Sequence, residues 1–485
     1  MTGQMKNINQ IVKERLKKLD ELTSLNIKPY ANRFERTTSI KELIGDFREG
    51  RDVTIAGRIT ALRAHGKSIF GDIRDENARI QLYVKKDEVG EEKFDIFCRL
   101  IDIGDFVGVK GQLFKTRTGE ITLKISDFEL LAKSLRPLPE KWHGLKDVEA
   151  RYRQRYLDLI SNENAKKVFV ARSKVIAHIR EFLNSRGYLE VETPMMHDIP
   201  GGAAGKPFKT HHEALNIDLY LRIAPELYLK KLLVGGFERV YELNKSFRNE
   251  GISTRHNPEF TMLEVYTAYY NMKDVMRLTQ ELINYVAKKI VGKLHFEYNG
   301  IEIDLSKWET ISFADMMKEK FDIIPEDDVG TWLAKLRKKN IKIDGMRLSR
   351  MQIVNIVADI LEPDVKKHPV FIVDYFTELC PLAKTKAKDP NITERFELFL
   401  GGMEVANAYS ELNDPIEQRR RFEKELADKE NSEVKRIDED FLRALEYGMP
   451  PAGGLGIGID RLVMLLTNQS SIREVILFPQ MRPEK

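Results

Sequence analysis

The chain has 485 residues, of which 42% are hydrophobic and 32% charged, and its formal net charge is +4. These values predict a soluble globular protein of two unequal domains without a membrane span, in which nucleic-acid binding would need local basic patches. Cys98 and Cys380 are the only cysteines and lie far apart, which excludes a disulfide framework or a paired-cysteine zinc site and favours a reducing cytoplasm.

Residues 1–50 are predicted to form a helical extension. Residues 8–22 carry apolar side chains at helical spacing with basic residues between them, a pattern that indicates an amphipathic helix with a basic outer face. The segment has no apolar run or cleavage site of the signal-peptide type. Packing on its own domain and contact with RNA both fit this helix.

Residues 51–133 change to short alternating apolar runs. VTIAGRI, ARIQLYV, FVGVKGQ and ITLKI read as strands of a small five-stranded barrel. This arrangement predicts an OB-fold, which commonly binds single-stranded nucleic acid by stacking bases on aromatic side chains. Residues 134–150 contain two prolines, a glycine and no period, so they are predicted to be a linker to a second domain over 151–485.

The second domain opens with a predicted helix over 164–186, ended by Gly187, and a strand YLEVETP stopped by Pro194. Core packing alone would explain both elements. The loop PGGAAGKPFKT then resembles a P-loop superficially, but Pro207 stands where a Ser or Thr would be needed. Glu226 follows near the start of a helix, where a glutamate is usually a helix-dipole effect.

The stretch Arg239–Tyr266 is predicted to form two antiparallel strands joined by a long loop. Alternation places a mixed set of side chains on one face, which suits a ligand better than a core: Phe260, Met262, Glu264 and Tyr266. Arg248 and Glu250 are expected to share a face of the incoming strand. Arg248, Arg255 and His256 could point at an anionic group, although an exposed hairpin with solvated charges also fits.

A second hairpin is predicted over residues 395–415, with a two-residue turn at Gly401-Gly402. That turn would pair Phe399 with Glu404 and Glu397 with Ala406, so the two glutamates would be diagonal neighbours on one face. Two adjacent carboxylates repel unless a cation lies between them, and Mg²⁺, which also binds phosphate, is the natural candidate. Solvated edge glutamates are the alternative.

Strict alternation places Asn407, Tyr409 and Glu411 on the opposite face from the glutamate pair. A bulge or bend between Val405 and Ala408 would bring both groups to one side.

The third segment is GGLGIGIDRLVMLLT, residues 453–467. Gly454, Gly456 and Gly458 leave one strand face without side chains, which would admit a flat ring at close approach. Asp460 is predicted to cap the following helix, and Arg461 to project from its first turn. Close packing against another element is the alternative, and the glycine spacing does not match a dinucleotide fingerprint.

These segments carry a resemblance. FRNEG…RHNPEFT resembles motif 2 of class II aminoacyl-tRNA synthetases, the helix–strand–proline segment resembles motif 1, and the glycine strand resembles motif 3. From about residue 50 to the C-terminus the chain resembles the bacterial-type lysyl-tRNA synthetases. The resemblance implies an α+β fold, with an N-terminal OB-fold β-barrel that binds the anticodon and a class II catalytic domain whose antiparallel sheet is flanked by helices.

The implied activity is activation of L-lysine with ATP and transfer of lysyl to the 3′ end of tRNA(Lys), in a cytoplasmic homodimer. Arg248 and Arg461 would be catalytic, and more than one Mg²⁺ per subunit would bind at Glu397 and Glu404. The residues implied for ATP are Arg248, Glu250, Arg255, His256, Asn257, Phe260 and Arg461. The residues implied for lysine are Gly202, Glu226, Glu264, Tyr266, Asn407, Tyr409 and Glu411. The residues implied for the anticodon are Arg58, Phe70 and Gln81.

Charge favours lysine as the substrate, because Glu226, Glu264 and Glu411 would form an acidic pocket for an ammonium group. Met403, Ala406 and Ala408 differ from residues that are frequent in related chains, but they remove no catalytic group. Three alternatives stay open: a synthetase for Asp or Asn, a paralogue that modifies a protein lysine, and a non-catalytic RNA-binding relative.

Overall fold

A computed structural model describes residues 2–139, 147–203, 205–341, 350–360, 367–428 and 436–484. The chain divides into two compact units, Met1–Lys146 and Asp147–Lys485. Part of the predicted linker 134–150 lies outside the described residues.

The first unit is built on a closed five-stranded barrel with strand order β1-β2-β3-β5-β4. Its elements are α1 Thr2–Ser24, α2 Ile40–Gly45, β1 Asp52–His65, β2 Ser68–Arg74, β3 Arg79–Lys85, α3 Lys86–Val89, α4 Glu91–Leu100, β4 Phe106–Lys115 and β5 Ile121–Ala132. Alternate residues of β1 and β3 are buried, as the period-2 pattern predicts. The predicted barrel is therefore confirmed.

Helix α1 packs on its own unit through its basic side chains. Arg15 donates to the carbonyl oxygens of Ser134 at 2.7 Å and Ile103 at 2.9 Å, and Lys18 pairs with Asp102 at 2.7 Å. These contacts favour the packing interpretation of the helix for these two residues.

The second unit is organised around an eight-stranded sheet. Its elements before the sheet centre are α5 Val148–Arg153, α6 Arg155–Ser161, α7 Glu163–Asn184, β6 Leu189–Glu190, β7 Met196–His197, β8 Phe208–His212, β9 Ile217–Leu221, α8 Glu226–Val234, β10 Arg239–Phe247, β11 Glu259–Ala268, α9 Met272–Val291, β12 His295–Tyr298, β13 Ile301–Asp304, β14 Glu309–Ser312, α10 Phe313–Phe321, α11 Val329–Lys338, α12 Arg350–Ile360 and β15 Val370–Val373. The remaining elements are a 3₁₀ turn Thr377–Leu379, β16 Thr385–Lys386, β17 Asp389–Thr393, β18 Arg395–Leu400, β19 Met403–Ser410, α13 Pro415–Asp428, α14 Glu439–Glu446, β20 Ala452–Gly458, α15 Ile459–Leu466 and α16 Ile472–Val475.

The sheet order is β14-β15-β18-β19-β20-β11-β10-β6. Strands β15 to β10 are antiparallel as predicted, but the edge strands β14 and β6 each pair in parallel with their neighbour. Helices α7 and α9 pack on one face, where the core includes Ile179, Leu282, Leu263 and Ile457. The sheet is therefore mixed at its edges.

The motif 1 segment differs in detail from the prediction. Helix α7 ends at Asn184 with Ser185 as its C-cap, and Gly187 follows with a φ of 77°, a left-handed conformation that favours glycine. The predicted strand YLEVETP is paired only over Leu189–Glu190. Only two residues of the segment form backbone pairs with β10. The pattern of apolar residues in the sequence does not reveal where this pairing stops.

The 395–415 hairpin contains the bulge. Phe399 pairs with Glu404 as predicted, but Glu397 pairs with Asn407 rather than Ala406, because the register shifts by one residue at Val405. The predicted Glu397–Ala406 pair is therefore wrong, and the bulge that would reconcile the two faces is present.

Candidate active site

A cavity of about 560 Å³ opens on the sheet face opposite α7 and α9. The side chains of β11 divide between the two faces: Leu263 and Val265 belong to the core, whereas alternate residues line the cavity, namely Phe260, Met262, Glu264 and Tyr266. The face predicted for a ligand therefore faces this cavity.

Arg248 and Glu250 enter the cavity from a loop. Strand β10 ends at Phe247, so the expectation that both residues share a strand face is wrong. The backbone N–H of Arg248 donates to the carbonyl oxygen of Pro258 at 2.9 Å, which closes the base of the loop. The ladder between β10 and β11 ends at the Asn and Pro residues of this loop. The Arg248 side chain lines the cavity from the position where the loop closes.

One end of the cavity gathers cationic and anionic groups. Arg461 Nη1 donates to the carbonyl oxygen of Glu404 at 2.5 Å and lies 3.3 Å from its Oε2, and Arg461 Nη2 lies 3.2 Å from His256 Nε2. Burial and the charge of Arg461 lower the pKa of His256, so the imidazole is neutral at pH 7 and accepts the hydrogen bond. The Arg461 guanidinium therefore lies between the Glu404 carboxylate and a neutral His256 at this end of the cavity.

Glu397 and Glu404 lie on neighbouring strands in the same cavity wall. Burial raises the pKa of Glu397; Arg395 opposes this rise and Glu404 adds to it. Glu397 accepts from Arg395 Nη2 at 2.5 Å and from Tyr375 Oη at 2.7 Å. No set of three His, Cys, Asp or Glu side chains in the described ranges could hold a metal by itself. Two carboxylates that leave further positions to phosphate and water fit Mg²⁺.

The middle of the cavity combines a ring with unpaired polar atoms. The Arg248 guanidinium carbon lies 5.2 Å from the centroid of the Phe260 ring. Arg248 Nε and Asn257 Oδ1 are buried without a hydrogen-bond partner among the described residues. Buried polar groups are normally paired, so these two atoms fit a polar ligand.

The glycine face of β20 lines the same cavity through Gly454, Gly456 and Gly458. A Cβ at Gly454 would overlap the Glu411 carboxylate and lie 2.7 Å from Tyr266 Cε1, whereas a Cβ at Gly456 would lie 3.2 Å from Met262 Cε and 3.8 Å from the Asn407 carbonyl oxygen. Close packing therefore explains Gly454, while Gly456 and Gly458 leave room above the strand.

The other end of the cavity is acidic and buried. Glu226 accepts a hydrogen bond from Tyr409 Oη at 2.5 Å, and Glu264 accepts one from Tyr266 Oη at 3.2 Å. Burial, followed by the charge of Glu226, raises the pKa of Glu264 to about 8. Gly202 has a φ of 85°, and a Cβ there would lie 3.1 Å from Glu226 Cβ, so the loop approaches the start of the Glu226 side chain closely.

A lysine already stands in this acidic cluster. Lys230 is fully buried, and its Nζ lies 2.7 Å from Glu226 Oε1 and 2.5 Å from Glu411 Oε2. Glu411 accordingly sits behind the cavity wall rather than in it. Sequence reasoning missed Lys230, although its spacing of four residues from Glu226 on a helix was available as a signal.

Two further supporting groups were missed or misplaced. Buried Arg395 bridges the two halves of the site, because its Nε donates to Asn407 Oδ1 at 3.1 Å and its Nη2 to Glu397. Asp460 does not cap α15, since Gly458 is the N-cap. Its carboxylate instead accepts from the Thr261 N–H at 2.8 Å and from Arg172 Nη1 at 2.5 Å.

The barrel unit carries its own candidate surface. Phe70 and Tyr83 have ring centroids 4.9 Å apart on the partly exposed outer face, and Gln81 Oε1 accepts from Thr122 there. Phe70 is therefore not a core residue of the barrel. Arg58 is not close by: its guanidinium lies over the Phe106 ring at 4.2 Å and donates to the Gly104 carbonyl.

A different arginine lies next to Phe70. Arg63 is the cross-strand partner of Phe70, and its guanidinium contacts Asp72 at 3.3 Å, the residue that pairs with Gln81. The register of the β1–β2 hairpin, which includes a shift between Ile59 and Ala61, determines this neighbour. Arg63 therefore takes the position expected for Arg58.

Comparisons with known proteins agree with this geometry. The family model "tRNA synthetases class II (D, K and N)" matches residues 147–482, and "OB-fold nucleic acid binding domain" matches residues 53–131. A lysine–tRNA ligase of Carboxydothermus hydrogenoformans is 54% identical over 98% of this chain and 99% of its own. Relatives with the same description from Bacillus subtilis and Thermotoga maritima are 49% and 47% identical, over 98% and 99% of this chain and 98% and 97% of their own.

The chain belongs to the class II lysine–tRNA ligases. Membership confirms the predicted family and the predicted combination of an OB-fold with a class II synthetase domain. Enzymes of this family use ATP and depend on Mg²⁺. None of the helices in the described ranges is long and apolar enough to cross a membrane.

Proposed function

We propose that this chain catalyses two linked reactions in one cavity. Lysine and ATP give lysyl-adenylate and pyrophosphate, and the lysyl group then passes to the 3′ end of tRNA(Lys) with release of AMP. The observation that carries the proposal is the polarity of the cavity, with Arg248, Arg461 and His256 at one end and buried Glu226 and Glu264 at the other. Family membership supports the same reaction.

In-line attack of the lysine carboxylate on the α-phosphate needs alignment and charge neutralisation more than a nucleophilic side chain. Arg248 holds the α-phosphate between the two ends, where its Nε has no protein partner among the described residues. Arg461 and His256 hold the γ-phosphate and its neighbour, with Arg255 beside them in the cavity wall. Arg248 and Arg461 are thus the catalytic pair.

The adenine ring stacks on Phe260, and the open strand face at Gly456 and Gly458 leaves room for it. Asn257 and Glu250 complete the adenylate site. Glu397 and Glu404 would hold Mg²⁺, with more than one ion per subunit, and the metal would supply neutralisation of charge on the triphosphate.

The lysine side chain enters the acidic end. Glu226 and Glu264 face its ammonium groups, Tyr266 and Tyr409 flank its aliphatic part, and Gly202 closes the loop over it. Asn407 lies between this end and the metal ligands. Glu411 lies behind the cavity wall and contributes to the lysine pocket through its ion pair with Lys230. An anionic or neutral side chain would leave these buried carboxylates without a partner.

The tRNA anticodon binds the barrel unit, where Phe70 stacks on a base and Gln81 reads a base edge. Arg63 supports them in place of Arg58, because it lies beside Phe70. We assign 1–50 as a helical extension, 51–133 as the anticodon-binding domain, 134–150 as the linker and 151–485 as the catalytic domain.

The proposed assembly is a cytoplasmic homodimer joined through the motif 1 segment. Val170, Leu189 and Met196 are 47%, 48% and 54% exposed, which leaves apolar surface on that segment. Sedimentation at micromolar concentration tests the dimer directly.

The test of function is ATP–pyrophosphate exchange without tRNA, run in parallel with lysine, arginine, aspartate and asparagine in the presence of Mg²⁺. We expect exchange with lysine alone. Exchange with aspartate or asparagine would overturn the substrate assignment and leave the fold intact. Absence of exchange with all four amino acids in folded protein would favour a regulatory RNA-binding role.

A further inference from the structure

Lys230 is a buried charged residue beside the cavity, and the proposed reaction names it only as the ion-pair partner of Glu411. Its side chain is fully buried on α8, one turn after Glu226, and its Nζ is within 2.7 Å of carboxylates on α8 and after β19. The same Nζ lies 5.5 Å from the centroid of the Tyr409 ring. A buried ammonium with two carboxylates and an aromatic face is a fully built ammonium site.

The lysine that fills this site belongs to the protein itself. Two of the three carboxylates expected to hold the substrate ammonium, Glu226 and Glu411, already share the Lys230 charge. Glu264 is different, because among the described residues no ion pair joins it to a Lys or Arg, and it accepts a hydrogen bond from Tyr266 Oη. When all three carboxylates are ionised, as they are when an ammonium ligand pairs with them or above about pH 8, the single internal ammonium leaves two negative charges.

Two is also the number of ammonium groups on free lysine, its α-amino and its side-chain group. The substrate carboxylate, in contrast, is directed to the phosphate end by the attack on ATP. Charge therefore balances when lysine enters a pocket that contains Lys230. Without Lys230, one buried carboxylate would remain uncompensated.

We propose that Lys230 is a positioning and specificity-determining residue of the lysine pocket, an internal counter-ion that neutralises Glu411 and fixes the Glu226 carboxylate for substrate capture. This inference rests on the proposed function. Tyr409 Oη donates to the same Glu226 oxygen, so Lys230 and Tyr409 together leave the second oxygen of that carboxylate for the substrate.

The ionisation of the pocket depends on the same contact. Burial raises the pKa of Glu411 to about 8; Lys230 opposes this rise, and Glu226 and Glu264 add to it. The other titratable or charged groups that act on these carboxylates are Tyr266, Tyr409, Cys380, Arg222 and Glu242. Removal of the Lys230 charge therefore favours protonation of Glu411 and moves substrate capture to higher pH.

The test compares Lys230→Met with Lys231→Met in ATP–pyrophosphate exchange between pH 6 and 9. Lys231 is the matched control, since it follows on the same helix but pairs with Asp440 outside the cavity. We expect Lys230→Met to raise the KM for lysine at pH 7 by roughly tenfold or more, the factor that corresponds to a rise of about one unit in the pKa of Glu411. The KM for ATP should stay within about twofold of the wild-type value. The KM for lysine should recover as the pH rises.

A double variant separates charge balance from packing. Lys230→Met with Glu411→Gln removes one charge of each sign, so its KM for lysine should be lower than that of Glu411→Gln alone. A KM for lysine in the double variant that equals or exceeds that of Glu411→Gln would overturn the proposal. This comparison remains available if Lys230→Met alone fails to fold. A KM for lysine within about twofold of wild type in Lys230→Met, or an unshifted pH profile, would overturn it as well.

The proposed function and this inference fail in different ways. Wild type and Lys231→Met report the lysine-dependent reaction itself, so absence of exchange in both refutes the proposed function. Normal exchange in both, combined with unchanged lysine kinetics in Lys230→Met, refutes only the role of Lys230.

Discussion

Individual residues at the acidic end of the cavity titrate near neutral pH. Glu264 has a pKa of about 8 because it is buried and faces Glu226, so it carries a proton below that pH in the ligand-free protein. An ammonium group pairs with the ionised form, and lysine binding below pH 8 must therefore release a proton. Glu264 therefore loses its proton when the ammonium group of lysine binds.

Lysine affinity should rise with pH between 6 and 8 and level off above pH 8. Glu264→Gln should weaken binding at pH 8 and flatten this dependence, because the glutamine cannot ionise. Calorimetric titration with lysine at several pH values measures both effects. An affinity that does not change between pH 6 and 8 would contradict the assignment of Glu264 to the lysine pocket.

The same pKa has a consequence for stability. The pKa of Glu264 is higher in the folded chain than the ordinary value of 4.5, so its contribution favours the folded state at low pH and is lost as the pH rises towards 8. Lysine should therefore increase the thermal stability more at pH 8 than at pH 6.

At the scale of elements, contacts between α7, β11 and α15 hold the catalytic strand in place. Asp460 accepts hydrogen bonds from the backbone of Thr261 and from Arg172, and Arg172 Nη2 also donates to Thr261 Oγ1 at 2.9 Å. Asp460 is 2% exposed, so its charge is compensated by these contacts rather than by water.

Asp460→Asn should lower the free energy of unfolding of the 147–485 unit by about 2–4 kcal/mol, because it leaves the Arg172 guanidinium without its charged partner. Urea denaturation followed by tryptophan fluorescence measures the change. Glu439→Gln is the control, since Glu439 forms an exposed pair with Arg419 and should cause no measurable loss. Equal stability of Asp460→Asn and wild type would show that the contact does not hold these elements together.

The bulge at Val405 is the other element-scale feature. It shifts the register of β19 by one residue, so that Glu404 and Asn407 both line the cavity despite their odd separation in sequence. A regular strand would direct one of the two into the core.

At the scale of the whole molecule, the two units are proposed to divide the work between amino-acid activation and tRNA recognition. The cavity belongs entirely to residues of Asp147–Lys485, and the Phe70 surface belongs to Met1–Lys146. A change at the barrel surface should therefore affect tRNA use alone.

Phe70→Ala in the full chain should leave lysine-dependent pyrophosphate exchange unchanged and reduce kcat/KM for tRNA(Lys) aminoacylation. Loss of one base stack, worth roughly 1–3 kcal/mol, corresponds to about fivefold or more. Arg63→Met should act in the same direction, and Arg58→Met should act less, because Arg58 lies over Phe106. A larger effect of Arg58→Met would restore the original assignment.

The sequence by itself determined the barrel and the ligand-facing side of β11, because period-2 alternation and local turn residues specify these features within short segments. The family followed from the resemblance of three motifs. The sequence also identified most of the candidate site, since the three motifs carry the polar groups at fixed local spacing. The sequence did not predict the parallel edges of the sheet or the short β6 pairing, because the strands that pair there are distant from each other in the chain.

Only the tertiary structure decided which charges meet. Tyr409 and Glu226 are 183 positions apart in the chain yet share a hydrogen bond, and Lys230 reaches Glu411 across the same fold. The placement of Arg395 beside Glu397 and Asn407, and of Arg63 rather than Arg58 beside Phe70, depends on strand register and bulges. Local sequence patterns specify the elements, but ion pairs in a buried site depend on how distant elements pack, because a buried charge is stable only where the fold supplies its partner.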